Sequence, residues 1–273
     1  MKVSVSASLV LFHNEASAYG AAISSFLASS SEGQLYLIDN SASPLNHPLF
    51  EHPRVRYTFA GKNLGFGAGH NRALAQMGTM SEFHLLLNPD VRFDANVLST
   101  LLHYAASDAS IGAVMPRINF PDGTQQNLCK LLPTPVDLIL RRFVPLHSVQ
   151  ARLNSRYEIL GLPQDRPVDV PSLSGCFLLV RTQLLQDLRG FDERYFMYME
   201  DVDLVRRIGD VSRTVYYPHV SVEHAYAKAS YRNRKLLGYH LRSATRYFDK
   251  WGWWSDPNRR RRNAEVARLI ARL

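Results

Sequence analysis

Between Val3 and Met115, short apolar runs rich in β-favouring residues alternate with segments of helical period, and no other feature of the sequence narrows the fold as far. Val3 to Phe12, Gln34 to Ile38, Val55 to Phe59, Phe83 to Leu87 and Ile111 to Met115 read as strands. Ala16 to Ser29 and Ala95 to Ala106 read as helices, and Gly65 to Met77 as a loop running into another. A helical crossover returns the chain to the same sheet edge, so consecutive strands pair in parallel. The N-terminal half is therefore predicted to be a doubly wound α/β sheet, whose ligands bind beyond the carboxyl ends of its strands.

Farther along, Asp122-Gly123 marks a turn between the segments Arg117 to Phe120 and Thr124 to Gln126. The pattern weakens from Cys129 to Pro171, where prolines interrupt two short apolar stretches; an excursion from the core is expected, with a short helix near Val136 to Phe143. Regular structure resumes with a strand within Leu173 to Arg181 and a helix from Thr182 to Leu188, capped by Thr182 and ended near Gly190. Glu200 to Ile208 reads as a helix, Thr214 to Tyr217 as a short strand and Tyr231 to Trp251 as a long helix. A run of four arginines, Arg259 to Arg262, follows.

A chain of 273 residues, 46% of them hydrophobic, has the material for a full core. Its formal net charge of +8 suits an anionic partner: nucleic acid, an acidic bilayer or a phosphorylated substrate. Cys129 and Cys176 match no metal-ligand spacing and read as buried thiols of a reducing compartment. The apolar stretch from Met1 to Phe12 is interrupted by serines and reads as a first strand, not a signal peptide. No apolar run reaches the roughly 18 residues that a membrane span needs, so any membrane contact is expected to be peripheral.

Several segments carry chemistry. Asp39-Asn40-Ser41 places hydrogen-bond acceptors past the second strand, where they suit a nucleoside; the same residues also fit a turn bonded to its own backbone. Gly65, Gly67 and Gly69 precede a helix, so bare backbone and a helix N-terminus can admit a phosphate, although a flexible loop would look the same. Asn88-Pro89-Asp90 delivers a carboxylate to the same edge, either as a hard oxygen ligand for Mg²⁺ or Mn²⁺ or as a turn residue. Glu200, Asp201 and Asp203 crowd the start of one helix, where mutual repulsion raises one pKa and suits a general base, or where they simply complement the helix dipole. His224 offers an imidazole to a metal held by Asp90, or a structural hydrogen bond.

In order along the chain, the segments ending Phe12-His13-Asn14, Ile38-Asp39-Asn40-Ser41, Asn63 to Asn71, Leu87-Asn88-Pro89-Asp90, Ser174 to Arg181, Gly190-Phe191-Asp192-Glu193 and Phe196 to Leu204, then His224, resemble the family 2 glycosyltransferases of the GT-A fold, most closely their bacterial rhamnosyltransferase-like branch. The resemblance implies an α/β fold with a mostly parallel nucleotide-binding sheet flanked by helices. It implies one domain over residues 1–250, with a nucleotide-sugar half (1–118) and an acceptor half (119–228), followed by a basic C-terminal helix and tail (229–273). By the same resemblance Asp201 is the base, Asp39 recognises a pyrimidine, and Asn40, Gly65, Gly67, Asn71 and Asn88 line the nucleotide. Asp90 and His224 hold a divalent metal, and Glu200 and Asp203 face the acceptor. Asn88 departs from the family's Asp-x-Asp pattern, where an aspartate is usual.

The implied reaction is an inverting transfer, with dTDP-L-rhamnose as the favoured donor, to a saccharide acceptor that is lipid-linked, in cell-surface polysaccharide synthesis. A metal-dependent nucleotidyltransferase and an inactive nucleotide-sugar-binding relative are the alternatives. Trp251, Trp253 and Trp254 beside Arg259 to Arg262 suggest docking on an anionic membrane, at the inner face of the cell membrane from the cytoplasm; a solvated basic tail is the other reading. The basic residues are dispersed and form no nucleic-acid motif, so no nucleic-acid partner is expected.

Overall fold

The computed structural model describes residues 3–77, 81–138, 154–225 and 234–271. Strands β1 (Val5–Leu11), β2 (Gln34–Asp39), β3 (Val55–Phe59) and β4 (Phe83–Leu87) lie parallel in the order β3-β2-β1-β4. Helices α1 (Ala16–Ser29), α2 (Phe66–Leu74) and α3 (Ala95–Ala106) make the crossovers. Successive strand residues face opposite sides. Ala7, Leu9, Leu11, Leu35 and Leu37 thus join the core shared with α1 and α3, while Tyr36 and Ile38 pack on Ala73 of α2.

Under α2 the sheet is polar. Ser8 lies 2.7 Å from both His70 and His84, and Ser6 lies 2.7 Å from both His84 and Ser81. Both histidines are fully buried. Burial holds both imidazoles down to a pKa of about 3, with the neighbouring His84 a second cause for His70, so both are neutral.

The sheet continues through β5 (Val91–Arg92), β6 (Ile111–Asn119), β7 (Val168–Asp169), β8 (Phe177–Arg181) and β9 (Arg213–His224). β8 runs antiparallel between β4 and β6, and β6 pairs in parallel with β9. The parallel arrangement therefore holds for the first four strands, and the remainder is mixed. Residues on both sides of position 119 share this one sheet. The turn at Asp122-Gly123 forms, with the Asp122 carboxylate accepting from Thr124 N–H at 2.9 Å. The strand expected over Thr214 to Tyr217 is the first part of a 12-residue strand that shifts register against β6 and ends at His224.

Helix α4 (Pro135–Leu138) opens the proline-rich excursion, and the rest of the helix expected to Phe143 lies outside the described residues. Helix α5 (Thr182–Asp187) starts as expected, but Thr182 is its first residue instead of its cap, and the Thr182 hydroxyl has no hydrogen-bond partner. Helices α6 (Glu200–Val211), α7 (Arg234–Trp251) and α8 (Pro257–Ile270) form a connected group. The expected start of the long helix at Tyr231 lies outside the described residues.

The arginine block is not a solvated tail. Asp256 caps α8 and binds Arg206 through both oxygens, at 2.7 and 2.8 Å. Arg259 and Arg262 are buried and donate to the carbonyls of Pro133 and Arg206, whereas Arg260 and Arg261 are exposed. Trp251 stacks on the Arg206 guanidinium and Trp253 packs on Phe248. Trp254, 76% exposed, is the tryptophan left facing solvent.

Candidate active site

A cavity of about 750 Å³ opens where β4 and β8 meet the start of α6. Asn88, Glu200, Asp201 and His224 share its wall with Lys130, Tyr157 and Tyr198. Four residues singled out from distant parts of the sequence thus converge.

The backbone aims the start of α6. Tyr198 and Met199 both adopt left-handed conformations, with φ of 67° and 68°, and the helix begins at the next residue. Such a conformation costs a non-glycine residue roughly 1–3 kcal/mol and persists only where packing over-determines it. Here α7 supplies that packing: Tyr239 lies against Phe196, His240 meets the Tyr198 ring edge-on, and Ser243 donates to the Met197 carbonyl at 2.8 Å.

Asp201 is half-buried and accepts from the N–H of Val202 at 2.8 Å and of Gly175 at 3.2 Å. These donors fix the orientation of its carboxyl group. The pKa of the Glu200 carboxyl is pushed up, first by burial and next by the charge of Asp201. Asp203 does not line the cavity. It is fully buried and binds Arg207 at 2.8 Å, Lys250 at 2.7 Å and the Trp251 indole N–H at 2.8 Å, tying α6 to α7.

Asp90 and His224 meet because β5 follows Asp90 directly and pairs with the end of β9. Asp90 Oδ1 lies 3.3 Å from His224 Nε2, and the Ala225 N–H donates to the Asp90 carbonyl. Gln126 holds the other imidazole nitrogen, Nδ1, at 3.0 Å. Asn88 lines the cavity, and its Oδ1 is buried with no hydrogen-bond partner. Among the described residues, no group of three or more His, Cys, Asp or Glu side chains converges on a metal position.

The nucleotide-side residues are placed less simply. Asp39 is fully buried and accepts from Ser41 N–H at 2.9 Å, Leu45 N–H at 2.8 Å and the Tyr57 hydroxyl at 2.6 Å. Burial pushes its pKa up, and these hydrogen bonds outweigh that and hold it below the usual carboxylate range. Asn40 donates to the Gly65 carbonyl at 3.1 Å. Protein fills the space beside each glycine. A Cβ on Gly65, whose φ is 90°, would collide with the Phe196 carbonyl; on Gly67 it would lie 2.8 Å from Phe191, and on Gly69 2.7 Å from Val10. Asn71 exchanges hydrogen bonds with the Phe191 backbone, at 2.8 and 2.9 Å, and reaches Glu193. These residues lock α2 to β1 and to the loop that leads into α6.

Sequence reasoning missed Gln126, Gly175 and Tyr57. Gly175 carried a signal: a glycine just before β8, where a Cβ would lie 3.2 Å from the Asp201 side chain. Gln126 and Tyr57 gave none, since their partners come from distant segments.

No protein-family profile matches the chain. The chain is 34% identical over 226 residues to N-acetylglucosaminyl-diphospho-decaprenol L-rhamnosyltransferase of Mycobacterium tuberculosis, covering 76% of this chain and 72% of that protein. It is 27% identical to rhamnosyltransferase WbbL of Escherichia coli, covering 77% and 79%. Among solved structures it resembles GalNAc-T7 in complex with UDP, GalNAc and Mn²⁺ (TM-score 0.62, 13% identity), covering 89% of this chain and 48% of that one. It also resembles the mannosyltransferase PcManGT of Pyrobaculum calidifontis in complex with GDP-Man and Mn²⁺ (TM-score 0.59, 16% identity), covering 100% and 76%. The structural likenesses carry the fold, and the mycobacterial relative carries the family. The chain belongs to the rhamnosyltransferase-like branch of the family 2 glycosyltransferases, and its fold is GT-A.

Proposed function

We propose that the chain transfers L-rhamnose from dTDP-L-rhamnose, with inversion, to a hydroxyl of a lipid-linked saccharide in cell-surface polysaccharide synthesis. The observation that carries this reading is the placement of Asp201, oriented by two backbone N–H groups, in the wall of the cavity that also takes in Asn88 and His224. The names of the two relatives support the sugar, and that of the mycobacterial enzyme supports the acceptor class.

Asp201 takes the proton of the acceptor hydroxyl as that oxygen attacks the anomeric carbon, and the bond from that carbon to the nucleoside diphosphate breaks. Asp90, His224 and Asn88 fit a divalent cation. They present a carboxylate and an imidazole 3.3 Å apart and a buried amide oxygen that no protein group satisfies. Gln126 on Nδ1 fixes the ring so that Nε2 faces Asp90. When bound, Mg²⁺ or Mn²⁺ supplies charge that offsets the charge growing on the leaving diphosphate. Asp39 and Asn40 serve the nucleotide by holding the Ser41 to Leu45 loop, Tyr57 and the start of α2 in place.

Release of dTDP from dTDP-L-rhamnose tests the reading. Wild type with Mn²⁺ or Mg²⁺ should turn over the donor, with UDP- and GDP-sugars poorer; EDTA or Asp90→Ala should lower the rate by about 10²-fold, the scale of a lost charge-stabilising contact. Pyrophosphate as the product would favour nucleotidyl transfer. Silence with every donor, even when a lipid-linked acceptor is supplied, would favour an inactive relative.

No helix among the described residues is long and apolar enough to cross a membrane. Docking on an anionic membrane surface, at the cytoplasmic face, would fall to exposed Trp254 with Arg260 and Arg261. The W254A/R260Q/R261Q variant is expected to lose flotation with phosphatidylglycerol vesicles at low salt. Unchanged flotation would move the contact elsewhere, and no flotation of wild type would remove it.

A further inference from the structure

Among the described residues that line the cavity, Lys130 is the one lysine or arginine, and it faces three acids in that lining, Asp137, Glu200 and Asp201. Lys130 is half-buried, and its ammonium lies 5.7 Å from the centroid of the ring of Tyr157, another lining residue. The charged end of the side chain, and not only its stem, therefore stands at the cavity lining. Backbone pairing sets its place relative to Asp201. The Lys130 N–H donates to the Ser172 carbonyl at 3.0 Å, and the Leu131 N–H donates to the Tyr157 carbonyl at 3.0 Å. Ser172 precedes by three residues Gly175, whose N–H holds Asp201, and three residues of chain span at most about 11 Å. One ligand of the length of a sugar diphosphate can therefore meet both side chains.

We infer that Lys130 binds the diphosphate of the lipid-linked acceptor, and so selects that acceptor over an uncharged glycoside of the same sugar. This rests on the acceptor class proposed above. A diphosphate entering a cavity lined by acids is repelled unless a fixed cation meets it, and an ammonium serves phosphate as a compact point charge with three donors. The donor's diphosphate has its own provision in the proposed cation site of Asp90, His224 and Asn88, which leaves Lys130 for the second diphosphate. Asp137 is engaged by Thr134, whose N–H and hydroxyl donate to its Oδ2 at 2.8 and 2.6 Å. Leu128, Leu138 and Tyr157 give the same cavity apolar surface, which suits the hydrocarbon that follows the diphosphate. The lining thus offers a base for the sugar hydroxyl, a cation for the phosphates and an apolar surface for the first prenyl carbons.

The test uses the full chain with dTDP-L-rhamnose and two acceptors, N-acetylglucosaminyl-diphospho-prenol and octyl N-acetylglucosaminide. In Lys130→Gln, the ratio of kcat/KM for the diphosphate acceptor to that for the octyl glycoside is expected to fall roughly 10- to 100-fold, the range of a hydrogen bond to a charged group. The loss should fall on the acceptor and not on the donor KM, and Lys130→Arg, which keeps the charge, should recover most of it. Calorimetry with dTDP saturating the donor site gives a readout without turnover. Farnesyl diphosphate should bind wild type and lose roughly 10-fold or more in affinity to Lys130→Gln, whereas farnesol should not distinguish the two. An equal loss on both acceptors, a loss carried by the donor KM, or farnesyl diphosphate binding unchanged in Lys130→Gln overturns the role of Lys130 alone. Wild type that transfers to the octyl glycoside and not to the diphosphate acceptor, or to neither, overturns the proposed acceptor and this inference with it.

Discussion

Asp201→Asn is expected to lower kcat by on the order of 10²-fold or more while leaving the fold and donor binding intact. The amide oxygen can still accept from one of the two N–H groups that hold the carboxylate, Val202 on Oδ1 or Gly175 on Oδ2. What it cannot do is accept a proton at neutral pH. The loss should therefore appear in kcat with saturating acceptor, and dTDP-L-rhamnose affinity measured by calorimetry should stay near wild type. Turnover within a few-fold of wild type, with an unchanged circular dichroism spectrum, would remove Asp201 from the role of base.

The second large effect is on stability in mild acid. His70 and His84 are neutral in the folded chain, with pKa values of about 3, and in the unfolded chain each returns to 6.5. A depressed folded pKa means that the unfolded state takes up protons first as the pH falls. The contribution of these residues is therefore complete only well above pH 6.5 and erodes as the pH falls through 6.5 towards 3. The slope approaches about 1.4 kcal/mol per pH unit for each group below the unfolded pKa, so the pair should cost about 3 kcal/mol between pH 6.5 and 5. Urea unfolding at both pH values reads this directly. A free energy that stays level across that interval would show that the Ser6, Ser8 and His84 chain tolerates a charge.

The elements that sequence alone made legible are those whose signal is local. The strands from Val5 to Leu87 and helices α1 and α3 fall where apolar alternation put them, because each buries its own side chains against its neighbours in sequence. The convergence of Asn88, Asp201 and His224 was legible through family resemblance, since no spacing rule brings β5 beside the end of β9. Elsewhere distant partners decide where a side chain goes, and the sequence does not announce them. Asp203 shares a helix face with Glu200, but Lys250 and Trp251 claim it. The three glycines suit a phosphate loop, yet Phe196, Phe191 and Val10 occupy the space that they leave. Arg259 and Arg262 look like surface charge until the carbonyls of Pro133 and Arg206 draw them inward.

The left-handed pair Tyr198 and Met199 sets two kinds of selection against each other. A library screened only for heat resistance should drift towards glycine or asparagine at Tyr198, because these residues adopt positive φ at less cost. The same change removes the ring that packs on His240 and lines the cavity, loosening the segment that aims Asp201. Screened for turnover, the library should retain the aromatic residue and its strain. Variants recovered by the first screen would thus outlast the parent on heating and work more slowly, the exchange of activity for robustness that a strained site builds into its own mutational neighbourhood.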